Sequence, residues 1–425
     1  MQNERGSYSA AYSNYVLAVL FLVYVFNFID RQVLGILLDD IKADLQVSDT
    51  AMGFLVGFAF VVFYTFAGIP IARWADRSSR RGIIALGLTV WSGMTAVSGM
   101  AQNFAQLALA RIGVGIGEAA GSPPAHSLIA DYFPPRRRAT ALSIYAGGVY
   151  IGSMIAFLAG GYIKETLSWR AAFFLVGIPG LLLALIVRYT IKEPPRGMSE
   201  SITVDPEYVG VGEVLRYLVT CRSFVFIIIA SSVQSLSGYS VLVWGPAFLG
   251  RVHDMGGINI GTWLGIIIGV AGCLGAYLGG KLSDIVGSRD KRWYMRLPAI
   301  ESLLGLPCVI GFLLSDSPTE AMLFFAPFFL LGAMYVGPMF AMIQGLVRLR
   351  MRATASAILL FVVNMIGLGL APLLVGFMND TLFAVRGDQA IRYSLLVMGI
   401  SGGLASIFFW LASVKLREDL ARARA

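Results

Sequence analysis

The chain has 425 residues, 57% of them hydrophobic and only 14% charged, with a formal net charge of +8 and a mean hydropathy of +0.74. A soluble protein of this length needs a far more polar surface. A porin-like barrel needs alternating strands of about ten residues, and the sequence shows none.

Apolar runs of about 20 residues, each enough to cross a bilayer, recur from end to end. They fall at 15–38, 52–72, 83–101, 104–131, 139–162, 171–191, 223–249, 258–282, 294–315, 319–346, 354–378 and 391–414. The pattern predicts an all-α membrane protein with twelve transmembrane helices. The first run is too long for a signal peptide, and no small-residue cleavage site follows it. Pro123 and Pro124 interrupt the fourth run; membrane helices tolerate such breaks where neighbours satisfy the freed backbone. Between the sixth and seventh runs lies a polar stretch containing EPPRG at 193–197 and GEVLRYLVTCR, which reads as a short interfacial helix. The predicted organisation is a six-helix bundle over 1–191, a cytoplasmic linker over 192–222, and a second bundle with a short cytoplasmic tail over 223–425.

Lysine and arginine crowd the even-numbered connections: Arg73, Arg77, Arg80 and Arg81, then Arg136 to Arg138, then Lys281 to Arg296, then Arg348 to Arg352. The odd-numbered connections hold few. The positive-inside rule places both termini in the cytoplasm. The positive charge is therefore a topology signal, and no nucleic-acid partner is expected.

Two segments repeat. RRRATALSIY (136–145) returns as RMRATASAIL (350–359), and ARWADRSSRR (72–81) as GKLSDIVGSR (280–289). Each pair holds the same place in its six-helix half. Parallel halves of this kind pack about an axis along the membrane normal, with a site near the midplane.

The remaining motifs exclude more than they suggest. Cys221, Cys273 and Cys308 are scattered and odd in number, with neither disulfide nor zinc spacing. GAYLGGK (275–281) fits a phosphate loop until Leu282, where Ser or Thr is needed for magnesium. GIGEAA (115–120) follows no strand, so it is no dinucleotide turn. The two histidines and scattered acids form no nucleophile–base or metal-ligand set. An enzyme, a nucleotide site, a metal and an organic cofactor are not expected.

Four charges lie inside predicted spans: Asp30 and Arg31 in the first, Arg111 and Glu118 in the fourth. Each costs about 2.5–3.5 kcal/mol at the bilayer centre. Asp30 lies about 12 Å and Arg111 about 10 Å below the outer ends of their helices, counting axial rise, so the two share a depth. Glu118 lies about 10 Å deeper. At helical spacing Arg111, Gly115, Glu118 and Ser122 fall on one face, with Gly115 leaving room between the charges. Gly113, Gly117 and Gly121 form a small-residue row on the other, for close approach of a neighbour. Arg31 can snorkel to the outer headgroups. His126 and Asp131 read as solvated or capping groups at the cytoplasmic end.

These residues resemble the major facilitator superfamily. Its loop signature G-x-x-x-D-R-x-G-R-R is matched at Asp76, Arg77, Arg80 and Arg81, with Ala72 and Ser79 in place of both glycines. The second copy keeps Gly280, Asp284, Gly287 and Arg289, with Ile285 where the arginine would be. Arg111, Gly115 and Gly117 meet the helix-4 signature R-x-x-x-G-x-G. The helix-5 antiporter signature is partial, with Ser153 where its proline would stand, so symport and antiport both remain open. FNFIDRQVLGILLDDI, ARIGVGIGEA and SLIADYFPPRRRATALSIY are similar to the spinster branch.

The resemblance implies an alternating-access transporter of a lysolipid or sphingoid phosphate, proton-linked or facilitative. Neighbouring helices 1 and 4, as in that fold, would let Asp30 pair with Arg111. Such a pair either locks two helices or breaks when Asp30 protonates or substrate arrives; a buried pair is poor evidence for stability alone, which favours the second. Glu118, caught between burial and an arginine, can titrate as a cavity opens and closes, or stay protonated against backbone. The proton-coupling set is therefore Asp30, Arg111 and Glu118, with the proton as coupling ion. The resemblance also brings Asp76 toward the start of helix 11 and Asp284 toward helix 5, where carboxylates are stabilised by helix N-termini. Asp76, Arg77, Arg80, Arg81, Gly280 and Asp284 form the candidate switch; the loop arginines can equally be topology charges.

The second half offers Gln234, Tyr239, Trp244, Tyr335, Phe340 and Asn364, with Met334, Met339 and Met342 as soft apolar surface. Packing roles stay open for each. Glu301 lies few turns from the cytoplasmic end, where it can face water. The candidate substrate contacts are Asn27, Arg111, Glu118, Ser122, Gln234, Tyr335, Phe340 and Asn364. A cavity polar on one wall and apolar on the other suits an anionic amphiphile. The alternative is a carrier of small organic anions or drugs, with a non-transporting membrane sensor more remote. The expected setting is a multi-pass monomer in a bacterial inner membrane, with the bilayer and a small amphiphile as its partners.

Overall fold

The computed structural model describes residues 8–198, 210–348 and 351–424. Every regular element among them is helical. In chain order the first are α1 (Ala10–Ile36), α2 (Leu38–Leu45), α3 (Asp49–Gly53), α4 (Ala59–Arg77), α5 (Arg80–Ser98), α6 (Phe104–Glu118), α7 (Ser122–Tyr132), α8 (Pro135–Thr166) and α9 (Trp169–Thr190). After the linker come α10 (Val211–Thr220), α11 (Arg222–His253), α12 (Gly257–Gly287), α13 (Trp293–Leu314), α14 (Pro318–Met334), α15 (Val336–Gly345), α16 (Arg352–Asn364), α17 (Ala371–Asp380) and α18 (Ala390–Arg424).

All twelve predicted spans are helical. Among the described residues, ten helical runs are long and apolar enough to cross a membrane. The other two predicted spans are α5, which starts on Arg80 and Arg81, and the fourth, which is two helices. The fourth breaks at Ala119–Gly121, and the proline pair sits in the first turn of α7, where a missing N–H costs nothing.

The chain forms two compact units: Met1–Val47 with Ala59–Asp205, and Ser48–Phe58 with Pro206–Ala425. In the first, α6 is packed closely on two sides. A Cβ on Gly117 would stand 2.6 Å from the Trp91 backbone nitrogen of α5, which the small-residue row predicts. A Cβ on Gly115 would stand 2.6 Å from the Phe60 carbonyl of α4. Gly115 therefore seats a helix backbone rather than opening space between charges.

In the second unit a core of α10, α11, α13, α15, α16 and α18 side chains is continuous. The short helix predicted in the linker is α10; it buries Val214 and Leu218 in that core and leaves Val219 exposed. Met339 and Met342 lie in the same core, and Met334 is also buried, so these methionines do not form an open apolar wall. Two π-helical turns, Phe54–Phe58 and Met365–Leu370, pack on each other in this unit; such turns are rare and gather at functional positions.

Candidate functional site

The four intramembrane charges of the first unit form two ion pairs. Arg111 Nη1 donates to Asp30 Oδ1 at 2.7 Å, the pairing that the depth arithmetic and the resemblance predict. Both side chains are almost fully buried, at 2% and 1% exposure. The Thr95 hydroxyl of α5 donates to Asp30 Oδ2 and also lies 2.9 Å from the Trp91 carbonyl. Thr95 was not legible as a site residue, because a lone threonine in an apolar run carries no pattern.

The second pair corrects the reading of Arg31. Its Nε donates to Glu118 Oε2 at 2.7 Å, so the side chain turns inward instead of snorkelling. Its guanidinium carbon lies 5.2, 5.0 and 4.8 Å from the rings of Phe28, Phe60 and Tyr64. Aromatic faces attract a desolvated cation. Glu118 is the last residue of α6, where helix carbonyls already present negative charge. A carboxylate there needs its own cation, and Arg31 supplies it. The second oxygen, Oε1, is buried without a hydrogen-bond partner, as is Arg111 Nε. The cluster thus holds two acids and two arginines, formally neutral, with polar capacity to spare.

Asn27 is buried on α1, one turn before Asp30 and Arg31. Ser122, partly buried, starts α7. Within the second unit Gln234 is buried on α11, beside the equally buried Glu301 of α13. Glu301 therefore does not face water. Tyr335 and Phe340 are partly buried against the core, with Tyr335 on the Phe409 ring at 5.9 Å. Asn364 ends α16, where the π turn begins.

The switch residues divide. The Asp76 side chain lies outside the described residues, and Arg77 is exposed. Arg80 is 2% exposed and donates to Asp131 and, at 2.8 Å, to Glu193 Oε1. It also donates to Ser127 Oγ at 2.9 Å and the Pro194 carbonyl at 2.9 Å. Asp131 is thus a buried anchor, not a solvated or capping group, while His126 is exposed. Ser79, standing in place of the signature glycine, caps α5 by accepting from Gly82 N–H at 3.1 Å and donates to Glu193 at 2.8 Å. Arg81 contributes its backbone N–H to Glu193 and its guanidinium to the Ile191 carbonyl. Burial pushes the Glu193 carboxyl up, but these donors outweigh it and hold it below the usual carboxylate range. The start of the linker is therefore docked on its own unit. Gly280 has open space where a side chain would stand, and Asp284 accepts from the Tyr294 hydroxyl at 2.7 Å.

One cluster escaped the sequence reading. Asp49, 2% exposed, is gripped by Arg251 Nη1 and Nη2 at 2.6 and 2.9 Å and by Asn379 Nδ2 at 2.8 Å. Asp380 accepts from the Thr50 N–H and hydroxyl at 2.7 and 2.6 Å. It places a carboxylate at the N-terminus of α3, where negative charge is favoured. The signal present was the string Ser48-Asp49-Thr50, a cap sequence ahead of an apolar run.

Helices long and apolar enough to cross a membrane, with two buried ion pairs in the first unit, are the architecture of a membrane transporter. The chain belongs to the major facilitator superfamily, whose family profile matches residues 20–372. An MFS-type efflux pump of Mycolicibacterium smegmatis is 35% identical over 411 residues, covering 95% of this chain and 93% of that one. Protein spinster homolog 3 of Danio rerio is 26% identical, covering 98% and 87%. A hexuronate transporter of Bacillus subtilis is 26% identical, covering 90% and 93%. A bacterial homologue of the human lysosomal transporter spinster, solved in an inward-facing, unoccupied conformation, superimposes with a TM-score of 0.88 at 32% identity. That match covers 97% of this chain and 99% of the other.

Proposed function

We propose that the protein is a proton-coupled secondary transporter of an anionic amphiphile, a lysolipid or sphingoid phosphate, working by alternating access in a bacterial inner membrane. The observation that carries the coupling is the Asp30 carboxylate between Arg111 and Thr95. Thr95 has one proton and two acceptors within reach, Asp30 Oδ2 and the Trp91 carbonyl. With Asp30 ionised, Thr95 donates to it. With Asp30 protonated, Asp30 donates to Thr95, and Thr95 keeps its bond to Trp91. Either protonation state is accommodated without moving a helix, while the attraction to Arg111 falls sharply in the second. An anionic headgroup then has Arg111 and the aromatic-caged Arg31 to bind, so proton and substrate act on one set of charges. The likeness to spinster proteins supports a lipid-like cargo.

The second reading is a small organic anion or a drug. Similarity to an efflux pump and a hexuronate transporter favours it, as does the burial of the methionines that would have lined an apolar wall. Thermal unfolding of the purified protein separates the two. Lysophospholipids and sphingoid phosphates are expected to raise the unfolding temperature in a saturable way that hexuronates do not match. Stabilisation by hexuronates alone would replace the lipid reading with the second.

A further inference from the structure

Glu301 has a setting unlike any other acid described in the chain. It lies on α13, 3% exposed, and neither carboxyl oxygen has a hydrogen-bond partner. It lines a cavity about the size of one water molecule inside the second unit. From α11 the cavity receives Gln234 and Ser237, from α14 Phe328 and Gly332, and from α18 the glycines 399, 402 and 403. On α13 itself Ser302, Gly305, Leu306 and Val309 complete the lining. Among these residues no cation faces Glu301 and no other group titrates. Gln234 is 8% exposed, and its Oε1, directed toward Gly402, also lacks a partner.

A bare carboxylate among apolar and neutral groups costs far more than a neutral acid whose one donor finds an acceptor. The neutral acid has one O–H to donate, and the Gln234 carbonyl oxygen needs a donor. We propose that Glu301 is a proton-binding site of the second unit, held as the neutral acid with Gln234 Oε1 as its acceptor. Five glycines, at 305, 332, 399, 402 and 403, line the cavity with it, and the space admits one water that can exchange that proton. The site is separate from the Asp30 cluster and does not depend on the coupling assigned there.

The test needs no substrate. Infrared spectra of the full-length protein in lipid nanodiscs at neutral pH are compared with those of Glu301→Gln and Gln234→Ala. The expected result is loss of one protonated-carboxyl carbonyl band in Glu301→Gln and a displaced band in Gln234→Ala. The glutamine variant should unfold at the wild-type temperature, since it copies the neutral acid. An unchanged protonated-carboxyl region, or a glutamine variant that fails to fold, would overturn the proposal. Sodium and choline chlorides at equal ionic strength give a further arm. Equal unfolding temperatures in the two salts support a proton site, whereas a sodium-specific rise lost in Glu301→Gln would make this a sodium site and refute it.

Discussion

Asp30→Asn should bring pH-gradient-driven substrate accumulation in proteoliposomes down to the level seen without a gradient. Substrate exchange between equal pH values should persist. The substitution retains an acceptor for Arg111 Nη1 but cannot gain or lose a proton. It also leaves Arg111, 2% exposed, as an uncompensated cation, which costs about 3–5 kcal/mol when one partner of a buried pair is removed. Asp30→Asn combined with Arg111→Gln removes both charges and should recover most of that stability. Recovered stability in the double variant shows that the single variant's cost comes from the uncompensated charge. The exchange that survives in Asp30→Asn isolates the coupling, since Arg111→Gln also removes a proposed headgroup contact. Gradient-driven accumulation at wild-type level in Asp30→Asn would remove Asp30 from the coupling role.

Arg80→Ala is the second large effect. Arg80 is fixed by Asp131, Glu193, Ser127 and the Pro194 carbonyl at once. Its removal should destabilise the protein by about 3–5 kcal/mol, because it leaves buried Asp131 unpaired. Arg80→Lys should recover only part, since an ammonium cannot span partners placed for a planar fork. A pH dependence follows with a definite sign. The Glu193 carboxyl is lowered in the folded protein, despite burial, by its bonds to Arg80, Arg81 and Ser79. Its contribution is therefore present above the unfolded carboxylate pKa and lost as pH falls through the lowered folded value. Unfolding temperature measured from neutral to acidic pH should fall less steeply in Glu193→Gln than in the wild type. Parallel curves would assign the acid sensitivity to another group.

The helical spans were legible because bilayer thickness imposes a length that apolar runs must meet. The Asp30–Arg111 pair was legible for a related reason: two unlike charges at one depth on neighbouring helices have few other partners. Arg31–Glu118 was not, because counting rise along a straight axis separates the two, whereas a long arginine and a helix ending at Glu118 close the gap. The Glu301 error has the same root. Distance from a helix end says nothing about which way a residue faces, and α13 turns this one into the helix contacts. Asp131 looked solvated beside a run of arginines, but its cation, Arg80, comes from a loop signature 51 positions away. The Asp49–Arg251 pair leaves no trace in the sequence, because nothing local distinguishes a paired loop charge from a hydrated one. Ser79 is the instructive departure. Against the signature it looked like a lost glycine, while in the structure it caps α5 and holds Glu193.

The central claim is that proton movement and substrate movement share one cycle. Wild-type protein in liposomes, loaded with a fluorescent lysophospholipid phosphate on one side, tests it directly. The account predicts flux that rises with an imposed pH gradient, collapses with a protonophore, and carries protons in fixed proportion to substrate. Substrate flux of equal rate with and without the gradient, and with no accompanying proton movement, would contradict it.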